Sequence, residues 1–414
     1  MTENFATETI KYYKLEKSEG HTLSYKLGVF LVVYTFLYYY LELFARTAGD
    51  KLMQSVPIAI DIVFSAYLFC KLFVNRANDV LSVRNKRFFM TFIVCILISY
   101  FVTLSGFEKM IGLVCILLSI MTFNRYPMKK EEKKRLFLFF IIAVAGILLN
   151  GAPAKRNEET KFNSNGCGFL LTMVFFVSTV LFAKKTDVRY GALSAICLAL
   201  QFVYDSRTSF FGCLVFALLF VVLRANKKTF KRKSAFRLIF LVSVLGVLVA
   251  YIYSGPLYSR FGAENIRILN KNLFSGREVI WSFTFDSIRE NFFFGVGSKL
   301  NEDKLNAGYY ELIMNAHNQP LAVLASFGIF VFIVFYVLYS SVLSTVYKKN
   351  RMFLYNRMPA VYILTMSFMS YFDIYLFAPL NWLPILLVYA LILNNSRMIR
   401  RSHPKKERRR RRHG

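Results

Sequence analysis

Histidine is scarce in this sequence, with four in 414 residues, and acidic side chains are outnumbered, 24 against 53 Lys and Arg. The six cysteines, Cys70, Cys95, Cys115, Cys167, Cys197 and Cys213, lie in or beside apolar runs and show no paired spacing. Neither a disulfide framework nor a zinc site follows from them. With no His/Cys/Asp cluster either, no metal and no cofactor are expected. Also missing are an internal repeat and matching Gly/Pro-interrupted helices in the two halves, which argues against an inverted-repeat transporter. No small-residue cleavage site accompanies the first apolar run, so it reads as a retained helix and not as a signal peptide. A formal charge of +29 stands without any RNA- or DNA-binding motif; nucleic acid is not an expected partner.

What the chain does have is apolar length. Hydrophobic residues make up 56% and aromatic residues 17%, with a mean hydropathy of +0.43. The apolar runs recur at roughly the 17–25 residues that cross ~30 Å of hydrocarbon. A water-soluble core is excluded. In lipid each span must satisfy its own backbone hydrogen bonds, so runs this continuous must be helices. The expected fold is all-α and integral to the membrane, with about 12 transmembrane helices. They fall near 27–45, 55–74, 88–106, 109–123, 136–153, 167–183, 190–206, 208–223, 238–256, 318–346, 358–377 and 379–394.

Charge sets the orientation. Alternate connections, with both ends of the chain, hold 39 of the 53 basic residues; the other set holds 14. Basic residues mark the cytoplasmic side, so both termini are expected in the cytoplasm of a bacterial cell, in its plasma membrane. The chain then divides into a cytoplasmic arm (1–26), nine helices (27–256), a large extracytoplasmic loop (257–317), three helices (318–394) and a basic cytoplasmic tail (395–414). Arg408–Arg412 in that tail faces anionic lipid headgroups.

The external loop is expected to contain short amphipathic helices and most of the chemistry. Ser275-Gly276-Arg277-Glu278 has the spacing of a capping box. The following residues, with Trp281 among them, fit a helix lying at the interface with the indole at headgroup depth. Arg277 in its first turn makes an anion site, or else pairs with a lipid phosphate or a carboxylate. Gly295 and Gly297 permit positive φ or close backbone approach. Phe292, Phe293, Phe294, Tyr309 and Tyr310 fit sugar stacking and lipid anchoring equally. His317-Asn318 stands where the loop re-enters the membrane; an imidazole there can take a proton from a hydroxyl, or can be structural. At a second outer turn, Arg207 reaches a lipid-linked pyrophosphate or forms a salt bridge to Asp205. Asp61, about a third of the way down the second helix, and Asp373 are candidate partners for these arginines, or interhelical glue.

These residues resemble, in order and spacing, the O-antigen ligase and Wzy-type polysaccharide polymerase superfamily. Asp205-Ser206-Arg207-Thr208 sits at a helix–helix turn, and Ser275-Gly276-Arg277 opens a helix carrying Trp281. Asn291, Gly295-Val296-Gly297 and then His317-Asn318, nine intervening residues and Gly328 follow. The usual continuation of that last motif is unmatched, since Val331 occupies its final place. The resemblance covers about 204–345 and implies a GT-C-like body with one large outer loop. It implies glycosyl transfer from undecaprenyl-diphosphate-linked oligosaccharide, without nucleotide sugar or metal. Arg207 and Arg277 would hold the pyrophosphate, His317 would activate the acceptor hydroxyl, and Asn318 would help bind substrate. Arg260, Arg289 and Arg267 are substrate-binding candidates of lower rank, with Asp205, Ser275, Trp281 and Asp61 in support.

Within that family the unmatched Val331 and a composition rich in Lys, Asn, Phe, Tyr and Ile favour a capsule, exopolysaccharide or O-antigen polymerase over an O-antigen ligase. A flippase and a chain-length regulator of the same pathway are its expected partners, besides membrane lipids. A lipid-linked oligosaccharide flippase is the alternative from another class. It should carry charges in several helix cores and short loops on both sides; here the ionisable groups gather near the outer face.

Overall fold

The computed structural model describes residues 23–38, 51–74, 83–126, 128–150, 164–185, 187–204, 206–225, 232–262, 267–268, 271–272, 276–297, 316–349, 358–373 and 379–393. Each of the twelve apolar runs carries a helix. In chain order they are α1 (Leu23–Tyr38), α2 (Lys51–Phe69), α3 (Val83–Thr103), α4 (Phe107–Arg125), α5 (Lys130–Asn150), α6 (Ser164–Lys185), α7 (Val188–Val203), α8 (Arg207–Ala225) and α9 (Arg232–Ile252). After the loop come α12 (Gln319–Lys349), α13 (Met358–Met369) and α14 (Pro379–Ile392). The loop itself adds α10 (Tyr258–Phe261), α11 (Arg277–Glu290) and a two-residue antiparallel ladder, Arg267–Ile268 against Lys271–Asn272. Among the described residues four stretches are long and apolar enough to cross a membrane: Asn85–Thr103, Gly166–Ala183, Ser234–Phe261 and Gln319–Ser344.

Burial separates inner helices from outer ones. In 18-residue windows of the Gly166–Ala183 and Gln319–Ser344 spans 72% of residues are buried, against 22% in Asn85–Thr103 and 28% in Ser234–Phe261. Helices α6 and α12, with the almost wholly buried α13 and α14, therefore form the core of the assembly, and α3 and α9 turn apolar side chains such as Val94, Phe101, Leu241 and Leu248 outward. In a lipid solvent such exposure carries no penalty, and packing comes from shape and small residues. Helix α12 lies against α9, α3, α4 and α11, while α6 packs on α7, α8 and α14. Aromatic rings fill these seams: Phe176 meets Phe216 at 4.5 Å between centroids and Phe92 meets Phe335 at 5.8 Å. Gly246 on α9 lets Pro320 and Tyr371 come close enough to clash with any larger residue.

One break interrupts the core. Gly328, in the middle of α12, has φ 74° and ψ −178°, so the helical ladder stops there. The backbone groups this frees are satisfied by the loop. Val296 N–H donates to the Ala325 carbonyl and Gly297 N–H to that of Ser326, each at 2.9 Å. In return Ile329 N–H donates to the Phe292 carbonyl at 3.0 Å. Gly295 and Gly297 both adopt positive φ to make this possible. A Cβ on Gly328 would stand 2.2 Å from the Phe293 oxygen, so only glycine admits the contact. Ser99 Oγ closes the join by donating to the Phe294 carbonyl at 2.8 Å.

Asp61, on α2, is buried and accepts a hydrogen bond from the Tyr34 hydroxyl at 3.1 Å. Of the two alternatives for this residue, an arginine partner or interhelical glue, the bond is of the second kind, joining α2 to a phenol of α1.

Candidate functional site

Helix α9 ends in a π-helical turn, Tyr253–Leu257, that contains Gly255 and Pro256. Proline cannot supply an amide to the helical ladder and its ring crowds the preceding turn, so the chain widens and changes direction there. The turn aims the Tyr253 ring at Trp281 of α11, edge to face with centroids 4.9 Å apart.

Helix α11 starts on Gly276, whose φ of 84° only glycine adopts readily. Its inward face carries Ile280, Trp281, Thr284 and Ile288, while Val279, Ser282, Arg289 and Glu290 face outward. That is the 3.6-residue spacing of an amphipathic helix. Trp281 is fully buried in protein: the Tyr253 ring stands against it, and its indole N–H donates to the Ala316 carbonyl. At the start of α11 Gly276 is the cap, and its own N–H donates to Glu278 Oε1 at 3.1 Å; the Ser275 half of the expected capping box lies outside the described residues.

The Ala316 bond fixes the residue before His317. From the other side Asn318 does the same: Nδ2 donates to the Gly246 carbonyl at 2.8 Å, and Oδ1 accepts the Leu321 N–H at 3.0 Å. Asn318 is fully buried and holds the position of a helix cap. Gln319 N–H donates to the Ser370 carbonyl at 2.8 Å, tying the start of α12 to the end of α13. Held between these ties, His317 takes φ 43°, a left-handed conformation that a non-glycine residue adopts at a cost of roughly 1–3 kcal/mol. Its Nδ1 lies 3.8 Å from Asp373 Oδ1, with both side chains partly exposed. A proton arriving on this imidazole would face a carboxylate.

Arg207 opens α8 and is half-buried; Arg277 opens α11 and is half-buried. The phenol of Tyr253 lies within electrostatic reach of both, and of Glu278. Tyr253 thus stands against Trp281, one helical turn along α11 from Arg277, and the indole ties this helix to the residue before His317. Among the described residues no carboxylate comes within ion-pair distance of Arg277. Its charge is available to an anion.

The lower-ranked arginines stand apart. Arg289 lies twelve residues along α11 from Arg277, about 18 Å at the helical rise, and sits 3.6 Å from Asp286 on the exposed face. Arg260 is exposed and lies over the Phe261 ring at 5.4 Å. Arg267 belongs to the short ladder. Asp205, Ser275, Tyr309 and Tyr310 lie outside the described residues. Sequence reasoning passed over Tyr253 and the second oxygen of Glu278. The Gly255-Pro256 pair at the end of a helix was the available signal for the former.

Residues 192–336 match the family model described as O-antigen ligase. That stretch runs from α7 into α12 and contains Arg207, Tyr253, Arg277, Glu278, Trp281, His317 and Gly328. The match supports the O-antigen ligase and Wzy-type superfamily for this chain. No curated protein and no solved structure matches it.

Proposed function

We propose that this chain, a membrane protein whose residues 192–336 match the O-antigen ligase family model, polymerises lipid-linked oligosaccharide repeat units at the outer leaflet. The donor is an oligosaccharide on undecaprenyl diphosphate, and the acceptor is a second such unit. Twelve spans, with both termini in the cytoplasm of a bacterial cell, put the 257–317 loop outside, where flipped units arrive. A flippase supplies them and a chain-length regulator acts on the product.

The acceptor hydroxyl oxygen attacks the anomeric carbon of the donor as the bond from that carbon to the diphosphate oxygen breaks. The electron pair leaves with the polyprenyl diphosphate. Arg207 and Arg277 hold that diphosphate and neutralise the charge it gains; fixed cations at a partly dry interface are worth far more than in water. His317 takes the hydroxyl proton on Nε2, the nitrogen turned away from Asp373, and Asp373 stabilises the imidazolium.

One observation carries this function: half-buried Arg277, with no ion-pair partner among the described residues, opens the helix whose Trp281 indole fixes the backbone before His317. The test is glycan length in cells whose only copy carries H317A or R277A, with lipid-linked and surface glycan run side by side and protein level checked by blot. Loss of long chains while single units still reach the surface is the expected result. Normal polymer at normal protein level would overturn the assignment. The description of the matched family favours a second possibility, a ligase. Long chains accumulating on the lipid carrier, unattached, would decide for it.

A further inference from the structure

The capping contact accounts for half of Glu278. This carboxylate stands in the first turn of α11, where the helix dipole favours a negative charge, and its Oε1 accepts the Gly276 N–H at 3.1 Å. Its other oxygen has no such explanation. Glu278 is 7% exposed, and Oε2 is buried with no hydrogen-bond partner. A buried carboxylate oxygen left without a donor is costly, and among the described residues no ion pair joins Glu278 to Arg277.

The surroundings say what would relieve it. Glu278 follows Arg277 in the first turn of α11, and the Tyr253 phenol, whose ring stands against Trp281 of the same helix, feels the charges of both and of Arg207. An ionised carboxylate oxygen only accepts hydrogen bonds. A phosphate, itself an acceptor, is repelled by it and drawn to the guanidinium groups. The group that fits Oε2 is a neutral donor, such as a sugar hydroxyl, next to an anion held by the two arginines. We infer that Glu278 Oε2 receives a hydrogen bond from the sugar that carries the diphosphate, making Glu278 a positioning and specificity-determining residue of the donor subsite. This rests on the glycan-transfer function proposed above and deepens it: the arginines recognise the diphosphate, and the carboxylate recognises the sugar attached to it. A site built to pair a substrate hydroxyl discriminates strongly against a substrate lacking it, because its own polar atom is then left unpaired.

The test uses the full chain in lipid nanodiscs, elongating lipid-linked oligosaccharide, with wild type and E278Q compared. Glutamine keeps an oxygen for the Gly276 N–H but replaces the accepting Oε2 with a donating amide. The expected result is a rise in KM for the lipid-linked donor of about tenfold to a hundredfold, the range of a hydrogen bond to a charged group, with a smaller change in kcat. Inhibition by undecaprenyl diphosphate, which has no sugar, should be unchanged. Donors deoxygenated one position at a time on the first sugar give a measurement independent of the variant. One of them should lose as much with wild type as E278Q loses with the full donor, and lose little more with E278Q. Wild-type KM in E278Q, or inhibition by undecaprenyl diphosphate weakening in step with KM, would leave Glu278 as a helix cap or an organiser of the diphosphate site and overturn the inference. Were E278Q to accumulate poorly, equal loss across all deoxy donors with wild type would overturn it. Wild-type protein that elongates no lipid-linked unit would instead sink the proposed function, and this inference with it.

Discussion

The indole N–H of Trp281 donates to the carbonyl of Ala316, the residue immediately before His317. Trp281 lies one helical turn from Arg277, so a single side chain joins the helix that presents a guanidinium to the backbone that presents an imidazole. Replacing Trp281 with Phe keeps the aromatic contact to Tyr253 but leaves a buried carbonyl without its donor, at about 1–3 kcal/mol. Elongation by W281F is expected to fall about tenfold or more with protein abundance near normal, measured by chain-length gel and blot.

Arg277 and Arg207 are expected to respond to lysine as well as to alanine. Lysine keeps the charge but cannot grip two phosphate oxygens in one plane. R277K and R207K should each lower kcat/KM by about tenfold, the size of one charge-assisted bond lost. Raised salt should not restore them.

His317 and Asp373 should differ in degree. Removing a general base costs about a hundredfold to ten-thousandfold, so H317A is expected to abolish long chains. D373N leaves the imidazole in place without a facing charge and should retain shortened chains. If D373N matches H317A, Asp373 has a larger part in the reaction than stabilising a neighbour.

Gly328 is expected to tolerate no substitution. In G328A the methyl would meet the Phe293 oxygen at 2.2 Å while the backbone holds φ 74°. The cost is about 3 kcal/mol or more, visible as a lowered unfolding temperature in detergent and reduced membrane abundance. N318A should be milder, near the 0.5–2 kcal/mol typical (approximately) of a lost helix cap, by the same assay.

Much of the scaffold was legible in the sequence because the solvent dictates it. An apolar run in lipid has few options besides a helix, and each of the twelve runs carries one among the described residues. The separation of Arg207, Arg277 and His317 along the chain was legible; the tie from the Arg277 helix through Trp281 to the residue before His317 was not, since it depends on which elements touch. Trp281 shows the limit. Its spacing announced an amphipathic helix, but periodicity does not say whether lipid or protein covers the apolar face, and here Tyr253 and Ala316 do. Asp61 shows another: a carboxylate in a span demands a partner, yet nothing local identifies Tyr34. The nine-residue interval from His317-Asn318 to Gly328 was conspicuous as a pattern. Its reason lies in α12, which is capped at one end of the interval and broken at the other.

That break also orders the making of the protein. The amides of Val296 and Gly297 that complete α12 belong to chain synthesised some thirty residues before the carbonyls they serve. As α12 enters the membrane, its carbonyls at Ala325 and Ser326 cannot be left bare in hydrocarbon, and their partners must already be at hand. The 291–297 segment therefore acts as a template for the helix that follows it. A protein in which that segment arrives late or misplaced would fail at insertion of α12, before any substrate is met.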